Sequence, residues 1–168
     1  NNSGCNVTVV PYDTSFEEIE FMRPDGVFVS NGPGDPNTAT TVTETVKKLI
    51  GKYPIFGIGM GHQIISLAYG AKMKVGHRGG YPVRNLSTGK IECTSQNHGY
   101  VVNEESLKNT PLDVTHINVL DGSVEGVSCM KDKVFSVQYN PESAPGPQDS
   151  NYLFGQFISI IKEAQDNA

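Results

Sequence analysis

Pro54-Ile-Phe-Gly-Ile-Gly-Met-Gly-His-Gln63 decides how this chain is read. Ile55–Ile58 is a short, wholly apolar run of strand length, and Met60–Tyr69 continues as an apolar helical segment. Between them stands Gly59, flanked two residues away on either side by Gly57 and Gly61. A sharp strand-to-helix elbow needs small neighbours, and it normally presents one nucleophile at its apex. The first turn of the following helix would supply free N–H donors and a partial positive charge. Those features lower the pKa of a cysteine placed there. Glycine at 59 offers no such atom, so the sequence predicts a nucleophile's frame without the nucleophile. The plain alternative is a glycine-rich turn with no catalytic role.

Outward from the elbow, strands and helices alternate. Asn6–Val10 reads as a short apolar strand. Ser15-Phe-Glu-Glu18 is a capping box that opens a short helix. Gly26–Ser30 reads as a buried strand running into Asn31-Gly-Pro-Gly-Asp-Pro36, which cannot be regular structure. Thr41-Val-Thr-Glu44 reads as a second capping box, followed by Val42, Val46, Leu49 and Ile50 on one helical face. This alternation predicts an α/β fold with a doubly wound, mostly parallel sheet and helices on both faces. From about Val83 the pattern changes to short segments at 82–86, 90–94, 114–120, 124–128 and 133–139. These predict appended antiparallel strands. A last helix should run from near Ser150 to Ala164. Ligands in such sheets bind at the carboxyl ends of the parallel strands.

The 168 residues predict a single domain, 1–168, with enough chain for a real core. Net charge is −5 with no long basic run, which argues against a nucleic-acid partner or an anionic membrane. No apolar run approaches the roughly 20 residues of a membrane span. Cys5, Cys93 and Cys129 form no CxxC pair, so neither a zinc knuckle nor a disulfide frame is suggested. Isolated thiols fit a reducing, cytoplasmic setting, and the plain reading is three small apolar residues.

Four segments could carry chemistry. In Asn31–Pro36 two glycines let the backbone approach a ligand, and free N–H groups there could hold an oxyanion; an ordinary strand-to-helix turn is the alternative. The elbow is the second. His62, on its first helical turn, reads as packed or solvated rather than catalytic. In Gln96-Asn-His-Gly-Tyr100, Asn97 offers an amide and Gly99 close backbone access, against a polar hairpin turn. In Phe135-Ser-Val-Gln-Tyr-Asn-Pro-Glu142, a base with its orienting carboxylate would need histidine at 140, and Asn140 cannot take a proton at neutral pH. Glu142 alone reads as a surface charge.

Taken together in order, these strings resemble the class I glutamine amidotransferases, a family with a flavodoxin-like α/β fold. Gly76-His-Arg-Gly-Gly80, Val114-Thr-His-Ile-Asn118 and Pro141-Glu-Ser-Ala-Pro-Gly-Pro147 add to the resemblance, which covers nearly the whole chain. The Gly76–Gly80 and Ser95–Tyr100 strings are closest to the glutaminase domain of the carbamoyl phosphate synthetase small chain, rather than to the anthranilate, GMP or CTP synthetase branches. That resemblance implies hydrolysis of glutamine to glutamate and ammonia, with the ammonia passed to a large synthetase subunit. ATP and magnesium would belong to that partner, and the domain itself would need no cofactor and no metal. Cysteine, histidine and glutamate positions of the family fall on Gly59, Asn140 and Glu142. Gly32 and the Met60 backbone match the oxyanion hole, and Gln63, Asn97, Gly99 and Tyr100 match the glutamine contacts.

The expectation is therefore a glutaminase-type domain impaired in hydrolysis. The alternatives are a non-catalytic regulatory or structural module of the same fold, and an engineered variant of an active enzyme. Against the family pattern the chain begins at the second strand, without the first core strand and the N-terminal small-chain domain. Ala71–Lys74 and Gly80–Pro82 are shorter than usual. Loss of a central strand would expose apolar edges.

Overall fold

A computed structural model describes residues 4–76, 78–79, 81–142 and 149–167, with side chains for all of these except 78–79. His77 and Gly80 of one family-like string, and Ser143–Pro147 of another, lie outside the described residues.

In chain order the elements are α1 Phe16–Met22, β1 Val27–Val29, α2 Thr40–Leu49, β2 Ile55–Ile58, α3 Met60–Ala68, β3 Met73–Val75, β4 Arg78–Gly79, β5 Pro82–Asn85 and β6 Ile91–Cys93. They continue with β7 Gln96–Asn97, β8 Tyr100–Val102, α4 Glu104–Leu107, β9 Asp113–Asn118, β10 Val124–Cys129, β11 Val134–Val137 and α5 Tyr152–Asp166. Seven strands form one sheet in the order β1-β2-β11-β10-β9-β5-β6, and β3/β8 and β4/β7 form small separate ladders.

The fold is α/β with helices on both faces and antiparallel strands appended. Its parallel ladders are β1/β2 and β2/β11. The pairs β11/β10, β10/β9, β9/β5 and β5/β6 are antiparallel. The parallel part is thus narrower than the opening alternation suggests, because the later connections are too short for parallel crossovers. β11 also departs from expectation. It does not join the appended strands alone but inserts between β2 and β10. Its four residues are all buried, as a strand covered on both faces requires.

β2 sits between β1 and β11, and its side chains alternate between two cores. Phe56 and Ile58 face Phe135, Val137, Tyr139, Leu153 and Ile160, with Phe154 and Phe157 packed against them from α5. Phe56 stacks on Phe135 at a 4.4 Å ring separation. Ile55 faces the other way, toward Val46, Leu49, Ile64 and Ile65 of α2 and α3. A third cluster of Val102, Leu107, Leu112, Val124 and Val127 fills the antiparallel half.

Three local expectations are corrected. Asn6–Val10 has no regular structure, and Val7 and Val9 are 63% and 89% exposed. A strand needs a neighbour, and no described strand lies beyond β1. β1 is therefore an edge strand, and its Phe28 stays 44% exposed instead of buried. The box at Ser15 forms in full, with Ser15 and Glu18 each bonded to the other's backbone N–H. The box at Thr41 does not form. A 3₁₀ turn at Pro36–Thr38, capped by Asp35, brings the chain into α2 two residues earlier, with Ala39 rather than Thr41 at the N-cap and no side-chain cap. Of the three free cysteines, only Cys129 is buried; Cys5 and Cys93 are exposed.

Candidate functional site

The elbow is held from several sides. Gly59 has φ 53° and ψ −115°, a backbone conformation that L-residues rarely adopt. Its N–H donates to Val137 O at 3.0 Å, tying the turn to β11. A Cβ on Gly61 would overlap the Val29 carbonyl. That close approach lets the first turn of α3 sit directly over β1.

The first site loop closes on this turn through Asn31. Its Oδ1 accepts from Gly32 N at 2.9 Å and from Met60 N at 3.0 Å. Its Nδ2 donates to Asn140 Oδ1 at 3.3 Å. Two backbone N–H groups, one from the loop and one from the helix N-terminus, thus converge on a single carboxamide oxygen. Asn140 leaves β11 just past Tyr139, and its own N–H donates to Ser95 O at 3.0 Å. That bond brings in the segment before β7.

Gln63 and Tyr100 meet on the inner side. Gln63 Nε2 donates to Tyr100 O at 2.8 Å and to Gln138 Oε1 at 3.0 Å. The Tyr100 hydroxyl donates to Asp35 Oδ2 at 3.2 Å. Asp35 is held below the usual carboxylate range, first by the Asn37 backbone N–H and also by Tyr100. Tyr100 is raised by the same contact, because the carboxylate opposes a second negative charge. Asn97 and Gly99 are exposed on the same stretch. This stretch is more than a hairpin turn, since Gln96–Asn97 pairs with β4 and Tyr100–Val102 pairs with β3.

His62 is packed, not solvated. It is fully buried, and its Nδ1 lies 2.9 Å from Ser136 Oγ. Burial, with smaller contributions from His98 and His116, pushes it down to about 3. It is therefore neutral at physiological pH.

A family model described as "Glutamine amidotransferase class-I" matches residues 1–160. The chain belongs to the class-I glutamine amidotransferases. It is 56% identical over 170 residues to a carbamoyl phosphate synthase small chain of Staphylococcus epidermidis, covering 99% of this chain and 46% of that one. The Staphylococcus saprophyticus counterpart is 58% identical over 167 residues, covering 97% and 46%. One from Bacillus cereus is 52% identical over 166 residues, covering 96% and 46%. The chain thus spans about half the length of the curated relatives it matches. Among solved structures, a putative GMP synthase protein from Thermoplasma acidophilum superposes with a TM-score of 0.77 at 22% identity, covering 95% of this chain and 82% of that one. A glutamine amidotransferase from Thermotoga maritima gives 0.54 at 18%, covering 68% and 56%. At those identities the likeness is one of fold.

In this amidotransferase chain the residues singled out from sequence come together unequally. Gly32, Met60 and Asn140 are hydrogen-bonded to Asn31, which lies against Gly59, and Gln63 is bonded to Tyr100. Glu142 is exposed and makes no hydrogen bond or ion pair among the described residues. Cys93 lies on β6, at the opposite edge of the sheet from β1. Sequence reasoning gave Asn31 no role of its own. Its only signal was its place directly before the first loop glycine. Gln138, the partner of Gln63, was also passed over. So was a buried polar group in which the Ser150 and Tyr139 hydroxyls donate to Glu92 at 2.8 and 3.3 Å.

No helix among the described residues is long and apolar enough to cross a membrane. No group of three or more His, Cys, Asp or Glu among them could hold a metal ion.

Proposed function

We propose that this chain is the glutaminase portion of a carbamoyl phosphate synthase small chain, keeping a pocket for glutamine but deficient in hydrolysis. The observation that carries this reading is the pair of N–H groups, Gly32 and Met60, bonded to one carboxamide oxygen beside Gly59. In that reading Gln63, Asn97, Gly99 and Tyr100 contact the substrate's amino-acid end. Hydrolysis would need a thiolate at 59 to attack the amide carbon and a base at 140 to shuttle the proton. Gly59 has no side chain, and a thioester cannot form there. The Asn140 amide takes no proton at neutral pH, which leaves Glu142 with no imidazole to orient. Disabling such a unit lowers turnover by about 10⁴–10⁶-fold in a comparable hydrolase. The partner is a synthetase large subunit, which would bind ATP and magnesium and receive the ammonia. The setting is cytoplasmic.

Ammonia release from glutamine and calorimetric titration with glutamine test the two halves separately. The expected result is binding at millimolar concentration or tighter, with no release above the uncatalysed rate. G59C/N140H should recover measurable release. Turnover by the unsubstituted chain comparable to an intact relative would overturn the deficiency. Absence of glutamine binding would favour the second reading, a non-catalytic module that uses the same fold as an interaction surface.

A further inference from the structure

The Asn31 carboxamide uses the two converging N–H groups as a ligand's carboxamide oxygen would. Its oxygen takes both converging N–H groups, and its NH₂ group points to Asn140 at the base position. A planar primary amide entering from outside would use the same donors and the same acceptor. The space tells the same story independently. A Cβ built on Gly59 would overlap Asn31 Oδ1 and Cγ and would lie 3.0 Å from Nδ2. Asn31 therefore fills volume that any side chain at 59 would claim, and it can do so only because residue 59 is glycine.

We propose that Asn31 is an intramolecular occupant of this site, a built-in amide that competes with glutamine for the Gly32 and Met60 N–H groups. The inference rests on the reading of the pocket as a glutamine site. Glutamine gains the two hydrogen bonds only when Asn31 swings out. Asn31 is exposed, so water can satisfy its amide once it leaves. The competition is accordingly several-fold in affinity rather than absolute, and it acts as a fixed reduction in the fraction of chain ready to bind.

Two measurements on the chain and its N31A variant test this, with N31S as a second variant too short to bridge both groups. In ¹H–¹⁵N spectra without ligand, the Gly32 and Met60 amide protons should move upfield in both variants as they lose their acceptor. The same spectra report that the variants are folded. In calorimetry with glutamine, N31A should bind about fivefold more tightly than the unsubstituted chain. Equal or weaker binding by N31A, with binding by the unsubstituted chain intact, overturns the competition and leaves the pocket reading standing. Failure of glutamine to bind any of the proteins overturns the pocket reading. The amide resonances then decide alone, with unchanged positions in N31A overturning the occupancy and shifted ones upholding it.

Discussion

Replacing Gly59 by alanine adds one carbon at the most constrained point of the site. At φ 53° a Cβ crowds its own backbone, which costs about 1–2 kcal/mol. The same carbon overlaps Asn31 Oδ1 and Cγ, so Asn31 must leave its bonds to Gly32 N and Met60 N. Each bond contributes about 0.5–1.5 kcal/mol, with the low end applying where water can replace it. G59A should therefore lose about 2–4 kcal/mol of stability. In the N31A background the overlapping group is already gone, and only the backbone contribution remains. A double-mutant cycle should show a coupling of about 1–2 kcal/mol between 31 and 59. The chain has no tryptophan, so urea unfolding followed by far-ultraviolet circular dichroism is the suitable assay. A G59A protein within about 0.5 kcal/mol of the parent, or an additive cycle, would refute the argument. The same cost falls on G59C, so recovered hydrolysis should come with lowered stability.

Two predictions concern buried charge. Burial raises Glu125 to about 8 from an ordinary 4.5, so the folded chain binds the proton more tightly than the unfolded chain does. Its contribution is therefore most favourable below pH 4.5 and declines as pH rises toward 8, by up to about 1.4 kcal/mol per pH unit. E125Q should remove that slope, and parallel stability–pH curves for parent and variant would contradict the assignment. His62 runs the opposite way. With its folded value near 3 against an ordinary 6.5, its contribution is full above pH 6.5 and is lost as pH falls toward 3. Its imidazole resonances should stay fixed between pH 5 and 8, and a midpoint near 6.5 would show that the ring is not sealed from water.

The elbow and α3 could be read from sequence because their signals are contiguous. Ile55–Ile58 is apolar on both faces, and Gly57, Gly59 and Gly61 mark the turn. Elements of the antiparallel half could be located, but their partners could not. β11 looks like any short strand until its burial between β2 and β10 is seen. Asn6–Val10 has the composition of a strand, yet composition does not supply a hydrogen-bonding neighbour. The Thr41 box failed because the preceding 3₁₀ turn, not the local pattern, sets where α2 begins. Gln63 and Tyr100 stand out in the sequence as members of motifs, but their bond to each other does not. Nor does the bridging role of Asn31, because it depends on one rotamer meeting a residue 109 positions away.

That separation has a kinetic consequence. The strand bearing Val137, which anchors the elbow, is made well after the elbow itself. Until β11 emerges, β2 has only β1 beside it, and the antiparallel strands have no seam to join. Contacts between distant segments form late, because the intervening loop must close before they yield any stabilisation. During synthesis the helix and turn can take shape early, but the Asn31–Asn140 bridge must wait for the segment that follows β11. A ribosome-stalled chain ending before Val134 should hold the elbow's helix and lack the site, with the apolar edge of β2 open to aggregation in the interval.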